Sequence, residues 1–339
     1  MMPTDTLLRP LRGDAIEING KNILLLNAVY SPSMSVFDSC NVTLQQYFKP
    51  YESSLNDAGY PVISTMPSDD SNYDVVCVLV PKSMIEARYL IAKGISFLKT
   101  GGELVCAASN KAGGSRLRKT MQSFGMQDLH EESKNKARVV WGSVQSYNDD
   151  SVKEAIKNGK EQDVMNGDFV SQPGVFGWDR VDKGSEILTR CLPDDLRGVG
   201  ADFGCGYGYL SRFLLSTYPK IKKLYCIDAD YRSVELCKKN LSSFNTDRSF
   251  MWDDLTLNRG SITNLNFIVM NPPFHEGKKT DISIGHKFID TACQSLSKGG
   301  RLFMVANSHL AYENILAANF SEVSKVHESH GFKVITARK

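Results

Sequence analysis

Gly101-Gly102 and Gly299-Gly300 each separate a helical pattern from an apolar run, and the two passages align without a gap at a constant offset of 198 residues. Ahead of the first pair, Tyr73 to Val80 reads as a buried strand leading to Pro81. Met84, Ala87, Ile91 and Ile95 then fall on one helical face. Ahead of the second, Phe267 to Met270 reads as a strand leading to Asn271-Pro272-Pro273. Ile284, Phe288, Ile289, Ala292, Cys293 and Leu296 then line a helix. In both copies Gly-Gly is expected to end the helix and open the next strand, Glu103 to Ala108 and Arg301 to Ala306. Farther on, Lys136 to Val140 mirrors Phe332 to Thr336. Repeated strand-helix-strand units build parallel sheets covered by helices. The expectation is therefore an α/β chain of two tandem domains from a duplication, with convergent reuse of common elements as the competing explanation. The boundary is placed in the polar stretch 149–164, which has room for a short helix, so that the domains are residues 1–155 and 165–339.

A chain of 339 residues can bury two cores. Hydrophobic content of 42% and charged content of 23% are those of an ordinary water-soluble protein. No apolar run is long enough to span a membrane, and residues 1–19 mix charges of both signs without an apolar signal core, so a cytoplasmic protein is expected. None of the eight cysteines forms C-x-x-C, so no metal site is expected; most of them read as buried thiols in a reducing compartment. A net charge of +2 does not by itself point to nucleic acid, so any RNA surface must come from local clustering.

Chemistry concentrates in the second copy. Two prolines cannot continue a central strand, so Asn271-Pro272-Pro273-Phe274 is a stiff turn at a strand end. The Asn271 side chain and a carbonyl of this turn supply two acceptors beside the Phe274 ring. That set suits a planar substrate with an exocyclic amino group. Upstream, Gly204, Gly206 and Gly208 follow the strand Val199 to Phe203 and precede a helix from Tyr209 to Ser216. Such strand-to-helix turns face the ligand crevice of open α/β sheets. A dinucleotide fingerprint fails because Tyr209 stands where the third glycine belongs, and no Walker-type Gly-Lys-Ser/Thr follows. The next strand, Leu224 to Ile227, ends at Asp228-Ala229, where an acid can accept from both hydroxyls of a ribose; Asp230 is the second choice. Its helix buries Val234, Cys237 and Leu241. Asp253 and Asp254, after Trp252, are either ligands of an adenine amino group or a solvated turn. Asp202 is a candidate for an amino group, directly or through water. Phe176, in Gln172-Pro173-Gly174-Val175-Phe176, either lies over a ligand or merely leads into the helix that starts near Asp182-Lys183-Gly184-Ser185.

Together these positions resemble the cofactor site of class I S-adenosylmethionine-dependent methyltransferases. Five motifs occur in one order: Pro173-Gly-Val-Phe176, Asp182-x-Gly-Ser185, Asp202-Phe-Gly-Cys-Gly-Tyr-Gly208, Asn271-Pro-Pro-Phe-His275 and Val305-Ala-Asn307. Over essentially the whole chain, this resembles the ribosomal RNA guanine-N2 methyltransferases, the small-subunit enzymes first and their large-subunit relatives close behind. The resemblance implies two Rossmann-like class I methyltransferase domains. The N-terminal one is degenerate, since Asn27-Ala28-Val29-Tyr30 replaces the glycine loop and Val80-Pro81-Lys82 replaces Asn-Pro-Pro. It further implies S-adenosylmethionine as cofactor, held by Asp202, Gly204, Cys205, Gly206, Gly208, Asp228, Ala229, Asp253, Asp254, Asn271, Phe176 and Gly184. Asn271 and Pro272 would orient guanine N2, and Phe274 would stack on the base. His275 is either a base or phosphate contact, a late proton acceptor, or a plain structural histidine. The implied partner is ribosomal RNA, within a small-subunit particle and without a membrane. Two pseudo-equivalent domains in one chain suit a monomer. Lys278, Lys279, His286 and Lys287, and in the first half Arg116, Arg118 and Lys119, are either phosphate contacts or solvated faces. Other readings are a large-subunit RNA, adenine N6, a protein glutamine, or a non-enzymatic S-adenosylmethionine- or RNA-binding module.

Overall fold

A computed structural model describes residues 3–13, 15–68, 72–257, 262–273, 275–276, 279–280 and 282–339. The chain forms two compact units, one of residues Met1–Glu161 with Gln172–Gly174, the other of Gln162–Ser171 with Val175–Lys339. The first holds β1 (Asn22–Leu26), β2 (Asn41–Gln45), β3 (Val62–Ile63), β4 (Tyr73–Leu79), β5 (Leu98–Ser109), β6 (His130–Lys134) and β7 (Ala137–Ser143). These make one sheet in the order β3-β2-β1-β4-β5-β7-β6, parallel except for β7.

The second unit opens with a small antiparallel pair, β8 (Gln162–Val164) and β9 (Phe169–Ser171). β10 (Gly198–Phe203), β11 (Ile221–Asp228), β12 (Asp247–Trp252) and β13 (Leu265–Met270) follow, then the short pair β14 (His275–Glu276) and β15 (Lys279–Thr280). β16 (Leu296–Asn307), β17 (Glu322–Ser329) and β18 (Phe332–Arg338) complete it. Its main sheet runs β12-β11-β10-β13-β16-β18-β17, with β18 antiparallel to both neighbours. Strand for strand, this is the order of the first unit. The fold is two tandem Rossmann-like α/β domains.

Both sheets are buried on both faces, which is why their strands read as unbroken apolar runs. Along β13, Ile268 and Met270 enter one core while Phe267 and Val269 enter the other. In the first unit Val76 and Val78 divide in the same way from Val75 and Cys77. Burying a side chain such as Phe267 contributes roughly 2–3 kcal/mol. Gly200 accommodates that ring, since a Cβ there would lie 2.1 Å from the Phe267 Cζ.

Most expected elements are present, including the strands either side of each Gly-Gly pair and the linking helix, Asp149–Gly159. Two details of the echo change. The helices end at Ser96 and Ser295, and each Gly-Gly lies inside the following strand, so the glycines are not helix stops. Gly101 and Gly299 have φ of 77° and 78°, and both strand pairs shift register at this place. A Cβ on Gly102 would sit 3.0 Å from the Asp74 carbonyl oxygen, and on Gly300 2.8 Å from that of Leu265. The pair thus makes a bulge that admits the neighbouring backbone. The second detail is the last strand. Ser109 pairs with Ala137 and Asn307 with Phe332, so Ala137, and not Lys136, corresponds to Phe332.

Candidate active site

The order of the second sheet reverses between β10 and β13, and crevices at such switch points open at the carboxyl ends of the strands. Asp202 and the glycine loop end β10, Asp228 ends β11, and Asn271 follows β13. Gly204, Gly206 and Gly208 have φ of 79°, 54° and 97°, a region open to glycine at little cost. The N–H groups of Gly204 and Cys205 donate to the Ile227 carbonyl at 2.8 and 3.0 Å, and that of Gly206 to Asp228 Oδ2 at 2.8 Å. The loop is thereby folded over the end of β11. A Cβ on Gly206 would meet nothing within 4 Å, so the loop presents bare backbone to the crevice.

Acids line this edge at three strand ends, β10, β11 and β12. Asp202 is fully buried; its Oδ2 accepts from the Ser211 hydroxyl at 2.7 Å, and its Oδ1 is buried without a partner. Burial pushes its pKa up to about 7, opposed by the Ser211 hydrogen bond and assisted by the charge of Asp228. Asp228 Oδ1 accepts from the Asp230 N–H at 2.9 Å, and lost hydration raises its pKa to about 6. A carboxylate offers about four acceptor directions, so each of its oxygens retains one for a hydroxyl. Asp230 is occupied, capping the helix Tyr231–Asn240 and pairing with Arg232 at 2.7 Å. Trp252 Nε1 donates to the Ala229 carbonyl at 2.8 Å, and its ring meets Tyr231 edge-on. Asp254 Oδ1 accepts from both the N–H and the hydroxyl of Thr256, which ties that side chain into its own turn. Asp253 accepts from the Asp254 N–H and is half-buried, the more available of the two.

Asn271 is held differently. Its Nδ2 donates to Asp182 Oδ2 at 2.7 Å and to Ser185 Oγ at 2.8 Å. A carboxylate only accepts, so Asp182 fixes which end of the amide faces it. Asn271 Oδ1 is consequently turned the other way, where it is buried without a partner. Asp182 also caps the helix Lys183–Cys191, accepting from the Ser185 N–H at 2.9 Å. The sequence marks Asp182-x-x-Ser185 as a helix start and as one of the resemblance motifs but gives it no role toward Asn271; its capping signature is the local signal that marks the pair. Pro272 is buried and Pro273 exposed.

Other expected site residues are spread more widely. Phe176 is 68% exposed, and among the described residues no hydrogen bond or ring contact joins it to the crevice. Gly184 has a packing reason, since a Cβ there would lie 3.0 Å from the Phe332 ring. Cys205 is buried beside Cys237, its thiol pushed up to about 12 by burial. Phe274 and Lys278 lie outside the described residues, as do the side chains of His275 and Lys279. His286 packs edge-on against Tyr312, while Lys287 is exposed. Arg116 and Lys119 are exposed, and Arg118 reaches Glu131 at 4.0 Å.

The first unit shows what the same scaffold does without this chemistry. Asn27 follows β1, and its Nδ2 donates to the Leu79 carbonyl at the end of β4. Gln46 Nε2 donates to the Ala28 carbonyl at 2.6 Å. The Asn27 amide thus bridges the switch point between β1 and β4, and Gln46 ties the end of β2 to that of β1.

In the second unit, unpartnered acceptors and carboxylates at three strand ends suit a ligand rich in O–H, N–H and positive charge, and they repel phosphate. S-adenosylmethionine, with its ammonium, sulfonium, ribose hydroxyls and adenine amine, fits that donor set.

Residues 166–336 match the family described as the methyltransferase small domain, and residues 14–151 match its N-terminal domain. A ribosomal RNA small subunit methyltransferase C of Aliivibrio salmonicida is 32% identical over 281 residues, 80% of this chain and 79% of that protein. Its counterpart in Vibrio vulnificus is 27% identical over 336 residues, with 95% of each chain covered. The solved structure of a T. thermophilus 16S rRNA N2 G1207 methyltransferase, in complex with AdoMet and guanosine, has the same fold. It superposes with a TM-score of 0.78 at 22% identity, covering 99% of this chain and 92% of that one.

Proposed function

The chain belongs to the methyltransferase small-domain family, together with the ribosomal RNA small subunit methyltransferases C, and from that premise we propose how its residues methylate N2 of a guanine in 16S ribosomal RNA. It is an S-adenosylmethionine-dependent methyltransferase of ribosomal RNA. One observation carries the assignment of roles: the buried Asn271 Oδ1, unpartnered and aimed by two hydrogen bonds on the opposite end of its amide. A buried acceptor without a donor costs about 1–3 kcal/mol, which a substrate N–H recovers on binding.

When bound, S-adenosylmethionine supplies a methyl group activated by a positively charged sulfur. Asp228 holds the ribose hydroxyls, Asp202 the methionine ammonium and Asp253 the adenine amine, while the bare backbone at Gly206 allows close approach. Asn271 Oδ1 and the Pro272 carbonyl accept the two hydrogens of the guanine amino group. That grip would turn the nitrogen lone pair out of conjugation with the ring and toward the methyl group; the N–C bond forms as the S–C bond breaks, and the amine sheds one of its protons to water. The rate gain comes from orientation and preorganised dipoles. The base must leave its stack to reach the crevice.

The first unit, whose switch point is bridged, serves as support or as an RNA-binding platform. A ribosomal RNA substrate goes with a cytoplasmic enzyme acting on a small-subunit particle, and two pseudo-equivalent domains in one chain suit a monomer. Among the described residues no helix is long and apolar enough to cross a membrane. The test is incubation with labelled S-adenosylmethionine and separated ribosomal subunits or naked rRNAs. Label in small-subunit RNA supports the proposal. Label in large-subunit RNA or in protein refutes the substrate assignment, and binding without any transfer refutes the enzymatic one.

A further inference from the structure

At the opposite edge of the catalytic sheet, where the parallel strands begin, lies a cleft of about 770 Å³. Its floor is the start of β10, β11 and β16, the beginning of β13 and the end of β18. Arg197, Lys220, Lys222, Lys298, Arg301 and Arg338 line it, against the single acid Asp195. Arg301 pairs with Asp195 at 2.7 Å, and this holds the Asp195 carboxyl below its usual range. Arg197, Lys220, Lys222 and Lys298 are exposed, and among the described residues none makes a side-chain hydrogen bond or ion pair. Arg338 reaches Glu322 at 3.6 Å, so the other four cations make the cleft a concentration of unpaired positive charge in a chain whose net charge is only +2.

The fold does not demand these charges. The first unit builds the same strands, and register identifies the equivalent positions. Glu103 faces Val75 as Arg301 faces Phe267, and Ser143 pairs with Glu103 as Arg338 pairs with Arg301. Where the second unit has two arginines, the first has an acid and a serine. Asp74 likewise occupies the place of Asn266 and pairs with Lys99 at 2.7 Å. The same architecture with an acid and a serine at these two positions shows that the sheet does not need either arginine to hold together.

We propose that this cleft binds phosphates of the RNA substrate, as a second anchor distinct from the methyl-transfer crevice. The inference rests on the ribosomal RNA reading above. β13 alone runs six residues between the two edges, so the sites are roughly 20 Å apart at about 3.3 Å per residue. A lone nucleoside cannot span that distance, whereas a folded RNA can. The cleft thus favours a structured substrate over an isolated guanine. Backbone contacts of this kind position a nucleic acid without reading its sequence.

The test is the triple variant Lys220→Gln, Lys222→Gln and Lys298→Gln, with binding to small-subunit rRNA measured between 50 and 200 mM salt. Each lost phosphate contact removes about 0.7–0.9 from the slope of log affinity against log salt. The variant should therefore be about 20- to 40-fold less sensitive to salt across that range, with unchanged affinity for S-adenosylmethionine. Arginine at the same three positions should restore the slope. If the triple variant melts early, each single variant should flatten the slope by just under one. An unchanged slope, while the wild-type protein methylates the RNA, overturns this proposal alone. A wild-type protein that neither binds nor methylates the RNA overturns it together with the assigned function. Loss of binding to anionic vesicles, with RNA affinity intact, would give the cleft to another polyanion and likewise refute the proposal.

Discussion

Asp182→Ala should disable transfer without Asp182 touching any reactant. In the wild-type protein both amide hydrogens of Asn271 are taken, by Asp182 and Ser185, and Oδ1 is the only end left for substrate. Without the carboxylate the amide can turn over, letting Oδ1 accept from the Ser185 hydroxyl while Nδ2 faces the guanine amino group. A donor then opposes a donor. The lost charge-assisted hydrogen bond is worth about 1.5–3 kcal/mol, and this sets the former preference for the productive orientation. Misplacing one positioned catalytic acceptor lowers kcat by about 10²–10³. The change also removes the cap of the helix Lys183–Cys191, with a stability loss of about 1 kcal/mol. The assay is kcat under saturating cofactor and RNA, in a cycle of Asp182→Ala, Asn271→Ala and the double variant. Because Asp182 acts through Asn271, the double variant should be no slower than Asn271→Ala. A further 10²-fold drop on adding Asp182→Ala to Asn271→Ala would refute this reasoning. So would an Asp182→Ala enzyme with wild-type kcat and a normal melting temperature.

Two further outcomes concern the cofactor. Asp228→Ala should weaken S-adenosylmethionine binding about 10²-fold by calorimetry, the equivalent of one or two charge-assisted hydrogen bonds, with kcat at saturation changed only a few-fold; retained affinity would mean that another acid holds the ribose. Asp202, raised to about 7 from 3.8, binds its proton in the folded protein where the unfolded chain has lost it, so its contribution to the stability of the free protein falls as pH rises from about 4 to about 7 and is level above that. Asp202→Asn should therefore melt higher than wild type at pH 8, lose that part of the pH dependence, and bind the cofactor at least tenfold more weakly. An unchanged melting profile with full affinity would contradict both roles. For the same reason, wild-type affinity for the cationic cofactor should rise from pH 5.5 to 8 as Asp228 and Asp202 ionise.

What the sequence disclosed depended on range. The duplication was legible because β5 and β16, twelve residues each, repeat one pattern of glycines and apolar residues. The strand-end positions of Asp228 and Asn271 were legible because a buried parallel strand must stop where its apolar run does. Gly-Gly was misread as a helix stop because that signal is local, whereas the bulge is imposed by a neighbouring strand. The one-residue error at Phe332 arose in the same way, since only pairing with Asn307 fixes its register. Asp253 and Asp254 are equivalent in sequence until Thr256 ties one of them down. Least legible was the hold of Asp182 and Ser185 on Asn271, contacts across 89 and 86 residues that no local periodicity encodes.

The most direct test of the account is nucleoside analysis of small-subunit rRNA after reaction with labelled S-adenosylmethionine, using the wild-type protein and Asn271→Ala side by side. The account predicts label in N2-methylguanosine from the wild type, and a loss of about 10²-fold or more from a variant that still binds the cofactor. Label in a methyladenosine, or undiminished N2-methylguanosine from Asn271→Ala, would contradict it.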